Sequence, residues 1–151
     1  MRRASHAQEP ERRGLLLLDT HTLIWSIEES PRLGLYTKES IRAGTREDRV
    51  LVSAISPWEI ALLTSKSRLQ LGMETMEWIR YALSRPGVTL APLEPEIAVA
   101  STQLPFEIHS EPPDRIIVAT VRHLGATLVT ADQSLLALGK KGHFKAMNAG
   151  R

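Results

Sequence analysis

Four carboxylates stand at positions where a folded chain could gather them. Asp19 directly follows the apolar run Leu15 to Leu18. Glu59 ends Ser56-Pro57-Trp58-Glu59, Asp114 follows Pro112-Pro113, and Asp132 follows Leu128-Val129-Thr130-Ala131. Singly, each has an ordinary explanation. Asp19 and Asp132 suit helix N-caps, and Glu59 suits the capping-box partner of Ser56. Asp114 complements the dipole of a helix start. Gathered, they repel one another, and such a site is costly unless protons or cations balance it. Hard oxygen ligands with no Cys and no His cluster select Mg²⁺ or Mn²⁺ over Zn²⁺. Such an ion can bind a phosphodiester, lower the pKa of an attacking water and steady the leaving oxygen.

The elements around these residues decide whether they meet. Leu15–Leu18 reads as a strand buried on both faces, and a helix follows Asp19 to about Glu28. A second helix fits Tyr36 to Ala43, and Val50 to Val52 is a short strand. Ser56 caps a helix running to about Ser67, with Pro57 in its first turn. Met73 to Ser84 is helical and Val88 to Leu90 extended. Pro95 to Leu104 and Asp114 to Leu124 are amphipathic helices, the second ended by Gly125. Ala126 to Val129 is a strand, and a last short helix runs from Asp132 to Leu138. Strands alternating with helices predict one α/β/α sandwich on a mostly parallel sheet. Right-handed crossovers then put the carboxyl ends of the strands on one side. Asp19, Glu59 and Asp132 lie at or just past such ends, and Asp114 opens the helix feeding the last strand. Ligands bind in the crevice there.

A chain of 151 residues, 42% apolar and 24% charged, is an ordinary globular domain. The absence of cysteine excludes disulfides, thiolate metal sites and cysteine nucleophiles, and suits a cytoplasmic location. No signal peptide or membrane span is legible, because Leu15–Leu18 is too short for either. The division expected is a disordered extension at 1–13, a domain at 14–139 and a basic tail at 140–151. Within that tail, Phe144 could dock a short edge strand. The basic charge sits at the ends: four Arg against two Glu in 1–13, and four basic residues with none acidic in 139–151. The remainder holds 11 basic and 15 acidic side chains, a net of −4. An acidic middle is odd for a simple nucleic-acid binder, but it fits carboxylates that hold cations facing phosphate.

The motifs carry a family resemblance. Leu17-Leu18-Asp19-Thr20-His21-Thr22-Leu23-Ile24-Trp25 resembles the opening motif of PIN domains in the VapC-like branch. Ser56-Pro57-Trp58-Glu59-Ile60 resembles the second acidic motif, His109-Ser110-Glu111-Pro112-Pro113-Asp114-Arg115 the third, and Leu128-Val129-Thr130-Ala131-Asp132 the fourth. The likeness spans about residues 15–138, in family order. It implies a PIN-like fold, a Mg²⁺- or Mn²⁺-dependent endoribonuclease, a VapB-like antitoxin partner and a homodimer. By motif position, Asp19, Glu59, Asp114 and Asp132 are the acidic quartet. Asp19 and Asp114 are expected to touch metal, with Glu59 and Asp132 acting through water or orienting it. Thr130 stands where the family often has a hydroxyl near the metal. Glu111 departs from the pattern, which has Asp at that position.

Other residues carry less. Arg115 can contact phosphate or pair with a carboxylate. Arg42, Arg46 and Arg49, and Lys140, Lys141 and Lys145, are solvated basic clusters that would attract phosphate in a salt-dependent way. Trp25, Trp58 and Trp78 fit core packing or an interface better than base stacking; Leu62, Leu63 and Trp58 are the expected apolar patch for the antitoxin. No Gly-rich phosphate loop or nucleophile elbow occurs. Three alternatives stand beside the toxin: a housekeeping RNA-processing PIN nuclease, a non-catalytic module with an acidic cleft, and a phosphatase with Asp19 as nucleophile. The phosphatase is weakened because His21, not a second Asp, lies two residues on.

Overall fold

A computed structural model of the chain describes residues 14–151. The extension expected at 1–13 lies outside the described residues. Five strands form one sheet in the order β3-β2-β1-β4-β5, all neighbours parallel. They are β1 (Leu16–Leu18), β2 (Val50–Ser53), β3 (Val88–Ala91), β4 (Thr127–Thr130) and β5 (Lys145–Asn148). Seven helices connect them: α1 (Thr20–Ile27), α2 (Leu35–Arg46), α3 (Ser56–Ser65), α4 (Thr75–Leu83), α5 (Pro95–Ser101), α6 (Pro112–Leu124) and α7 (Gln133–Lys140).

Strand β1 is central, and its three leucines are buried. Side chains alternate across a strand. Leu16 and Leu18 therefore pack with Val50, Val52 and Val129 against Leu23, Ile41, Ile60 and Trp78 on one face. Leu17 packs with Leu128 against Ile117, Val121 and Leu135 on the other. These two cores are the α/β/α sandwich, and they explain why β1 reads as a continuous apolar run.

Several boundaries differ from the sequence reading. Helix α6 starts at Pro112, two residues earlier than expected, with proline in its first turn, where a missing N–H costs nothing. Ser56 is not the cap of α3. Ile55 holds that position with no side-chain bond, and Ser56 is fully buried. Trp78 is core, whereas Trp58 is 53% exposed. Residues 140–151 are not a loose tail: Phe144 is buried and β5 pairs with β4 from Lys145 to Asn148. Among the described residues, no helix is long and apolar enough to cross a membrane.

Candidate active site

Strand β1 lies between β2 and β4, which leave it in opposite directions along the sheet order. A crevice opens at the carboxyl ends of strands flanking such a switch point. Asp19, the residue after β1, sits there and caps α1: its Oδ1 accepts from the Thr20 amide at 2.9 Å. Its Oδ2 accepts from Thr130 Oγ1, at the end of β4, at 2.6 Å. Thr130 Oγ1 in turn accepts from the Asp132 amide at 3.0 Å. One hydroxyl thus joins the first and fourth motifs. Thr22 adds a second tie, donating to the Val129 carbonyl at 2.8 Å.

Glu59 lies on the first turn of α3 and reaches across to α1. Thr20 Oγ1 donates to Glu59 Oε1 at 2.5 Å and stands 2.8 Å from Ser56 Oγ. Thr20 has one hydroxyl proton. With that proton on Glu59, Ser56 must be the donor to Thr20. The capping box expected of Ser56 and Glu59 does not form. Both side chains turn instead to Thr20, because residues three apart share a helix face.

Asp132 caps α7, its Oδ1 accepting from the amides of Ser134 and Leu135 at 2.9 and 3.1 Å and from Ser134 Oγ at 2.6 Å. Asp114 enters from the first turn of α6. Arg115 forms no ion pair with the quartet; its Nη2 donates to the Ile108 carbonyl at 3.4 Å.

Asp19, Glu59 and Asp132 lie near enough for their charges to be felt at Asp114. Burial raises the Asp19 carboxyl above its usual range, against the hydrogen bonds from Thr130 and Thr20 and the nearby His21. Burial likewise raises Glu59, opposed by the Thr20 bond and reinforced by Asp19. Asp114 is pushed up to about 7 by burial and then by the charges of Asp19, Glu59, Asp132 and Glu111. Among the described residues, no Lys or Arg pairs with any of the four; the ion pairs found are Arg42–Glu39, Arg49–Glu47 and His109–Glu107. Nor do any three His, Asp or Glu side chains there stand close enough together to hold a metal ion in common. Magnesium does not need such a group, since it keeps several waters and takes one or two carboxylates. Hard oxygen donors, coupled and without a balancing cation side chain, fit a divalent ion.

The sequence reading named the quartet and Thr130, but missed Thr20 and the role of Ser56. The available signal was the pair of hydroxyls flanking two of the acids. Both are also good caps, so the signal was ambiguous.

An open carboxylate cleft at the switch point of a five-stranded parallel sheet is the layout of a PIN domain. A family model described as PIN domain matches residues 16–141, and the chain belongs to that family. It is 32% identical over 120 residues to Ribonuclease VapC22 of Mycobacterium tuberculosis, covering 80% of this chain and 88% of that protein. Among solved structures, it is similar to VapBC2 from Rickettsia felis bound to a DNA fragment from its promoter. That match has a TM-score of 0.65 and 16% identity, over 89% of this chain and 98% of the other. DNA-bound VapBC from Salmonella typhimurium matches at a TM-score of 0.65 and 18% identity, over 89% and 97% of the two chains. PIN nucleases of the VapC type generally depend on divalent metal.

Proposed function

We propose that the chain is a metal-dependent endoribonuclease that hydrolyses RNA phosphodiesters, the toxin of a toxin–antitoxin pair. The observation that carries this reading is the quartet itself: four mutually coupled carboxylates at the switch point, with no Lys or Arg among the described residues to balance them. The ribonuclease relative and the VapBC likenesses support it.

Asp19 and Asp114 are the residues we assign to direct contact with Mg²⁺ or Mn²⁺, with Glu59 and Asp132 orienting water around it. When bound, the ion supplies charge for the phosphodiester and a more acidic water. The chain's own residues do the rest. Thr130 holds one Asp19 oxygen and leaves the other carboxylate atom on the amide of Thr20. Ser56 and Thr20 fix Glu59 by a chain of two hydroxyl protons. Asp114 holds a proton through its raised pKa and would release it to solvent on binding a cation.

The partner reading rests on surface chemistry. Trp58, Met73, Met76 and Tyr81, on and between α3 and α4, are all exposed, and Leu62 and Leu63 are half-buried beside them. A patch of this kind marks an interaction site. It suits a VapB-like antitoxin, in a complex built on a homodimer in the cytoplasm. The direct test is cleavage of total cellular RNA by partner-free protein with Mg²⁺ or Mn²⁺, beside EDTA and Asp19→Asn controls. Discrete fragments lost in both controls are expected. Intact RNA from folded protein would overturn the nuclease and favour the binding-module or phosphatase alternative.

A further inference from the structure

We propose that the groove along β5 carries the phosphate backbone of the RNA strand away from the carboxylate cleft, held by Lys140, Lys145 and Arg151. This rests on the nuclease reading and names where its substrate lies.

The groove has a volume of about 590 Å³ and runs along the last strand of the sheet, between α7 and the start of α2. One end is beside the quartet. Gln133, which lines it, directly follows Asp132, and Asn148 pairs with Thr130, the residue that holds Asp19. Arg151 belongs to this near end, its amide donating to the Asn148 carbonyl at 3.2 Å. The other end is remote. Lys145 lies three residues before Asn148 on β5, or about 10 Å back along the strand. Lys140 stands seven residues after Gln133 on α7, again about 10 Å away. A strand leaving the cleft on this side meets Arg151 first and then the two lysines.

The lining is cationic and uncommitted. Among the described residues, no Asp or Glu lines the groove, and Lys140, Lys145 and Arg151 form no ion pair. The other basic cluster differs: Arg42 and Arg49 are tied to Glu39 and Glu47. Arg151 is held in place. Its main-chain oxygen accepts from the Thr37 amide at 3.1 Å, and its guanidinium lies 4.6 Å from the centre of the Tyr36 ring. Stacking occupies the face of a guanidinium and leaves its edge of N–H donors for a phosphate. Lys140 and Lys145 are exposed point charges, suited to following a backbone rather than reading a base.

A positively charged groove that follows the backbone is how single strands are bound without regard to sequence. It also complements the acidic middle of the chain. The quartet by itself repels phosphate, and the three cations attract it from the side. An acidic peptide would meet the same charges. Only a strand already seated at the cleft, however, gains from a groove that opens beside it.

The test measures binding of a labelled uridine dodecamer to the full Asp19→Asn chain by fluorescence anisotropy, in EDTA so that the RNA stays whole. Lys140→Ala, Lys145→Ala and Arg151→Ala together should weaken binding at least about tenfold at about 0.1 M salt, with the melting temperature unchanged. The slope of log affinity against log salt should become shallower by about 2, since each phosphate contact on a single strand contributes roughly 0.7. The control removes three equally exposed cations elsewhere, Lys66 and Arg68 at and past the end of α3 and Arg80 on α4. Their joint change to alanine should cost less than about threefold. Equal losses in the two triple variants, or none in the groove variant, would overturn the proposal. An oligoglutamate of equal charge that binds as tightly as the RNA would overturn it too, and assign the groove to an acidic polypeptide. A second arm follows cleavage of a random RNA pool with Mn²⁺, on chains that keep Asp19. The groove variant should raise KM about tenfold and leave kcat within about twofold of wild type. Cleavage at unchanged KM overturns the groove and leaves the nuclease standing. Groove-dependent binding with no cleavage by wild type supports the groove and overturns the nuclease.

Discussion

The floor and the rim of the cleft hold their acids in opposite ways. On the floor, Asp19 is buried, and each of its oxygens accepts a hydrogen bond from a neighbouring element. On the rim, Asp114 meets four like charges, and Glu111 stands at a helix start that it does not cap. The floor is built by the sheet, whose pairing fixes β1 against β4. The rim hangs on the start of α6 and the loop before it. The difference separates two tasks. A bonded carboxylate keeps its geometry whether or not a cation is present, while an unbonded one remains free to move onto a ligand.

Breaking the floor should give the largest effect. Asp19→Asn keeps the size but removes the charge, and its single oxygen can accept from only one of Thr20 and Thr130. RNA cleavage should fall by about 10³-fold, the scale of several kcal/mol of charge stabilisation. Thermal unfolding should change little, because removing a desolvated charge offsets the one hydrogen bond lost. A variant retaining a tenth of the activity would mean that Asp19 is only a helix cap.

The rim should dominate the pH response. Folded Asp114 titrates at about 7 against an ordinary 3.8. Between those values the folded chain holds a proton that the unfolded chain has lost. Stability of the metal-free protein should therefore fall as pH rises through that window and level off above about 7. The melting temperature should drop by on the order of 5 °C. Asp114→Asn should flatten this limb, and a saturating divalent ion should reverse it. A limb unchanged in Asp114→Asn would assign the titration elsewhere.

Smaller changes sharpen the contrast. Thr130→Val removes the hydroxyl shared by Asp19 and the Asp132 amide. About tenfold in activity and ~1–2 kcal/mol in stability should be lost. Asp132→Ala removes a working cap and should cost about 1 kcal/mol by chemical denaturation. Glu111→Ala, at a helix start with no cap bond, should change stability by less than about 0.5 kcal/mol. If these last two matched, the distinction between tied and free carboxylates would fail.

Much of the floor was legible in the sequence, because it follows from local pattern. Four leucines in a row mark a doubly buried strand, and an acid directly after it must lie at the strand's carboxyl end. The order of motifs then named Asp19, Glu59, Asp114 and Asp132 before any geometry was known. What escaped depends on distant contacts. Ser56 and Glu59 have capping-box spacing, and only the position of Thr20 on α1 decides that they turn elsewhere. The fifth strand, Lys-Ala-Met-Asn, has weak strand preference and forms because β4 offers an open edge. Its anchor, Phe144, was the one visible sign. The exposure of Trp58 was legible only through the apolar patch expected for a partner, since its neighbours on α3 fit core packing equally well.

The central claim is that the floor and rim carboxylates together bind a divalent ion. Electron paramagnetic resonance of Mn²⁺ titrated into the full chain tests it most directly. Stoichiometric binding is predicted for the wild type, weakened by at least about tenfold in both Asp19→Asn and Asp114→Asn. It should be nearly unchanged in Trp58→Ala, on the surface assigned to the partner. Equal Mn²⁺ affinity in wild type and both carboxylate variants would contradict the account.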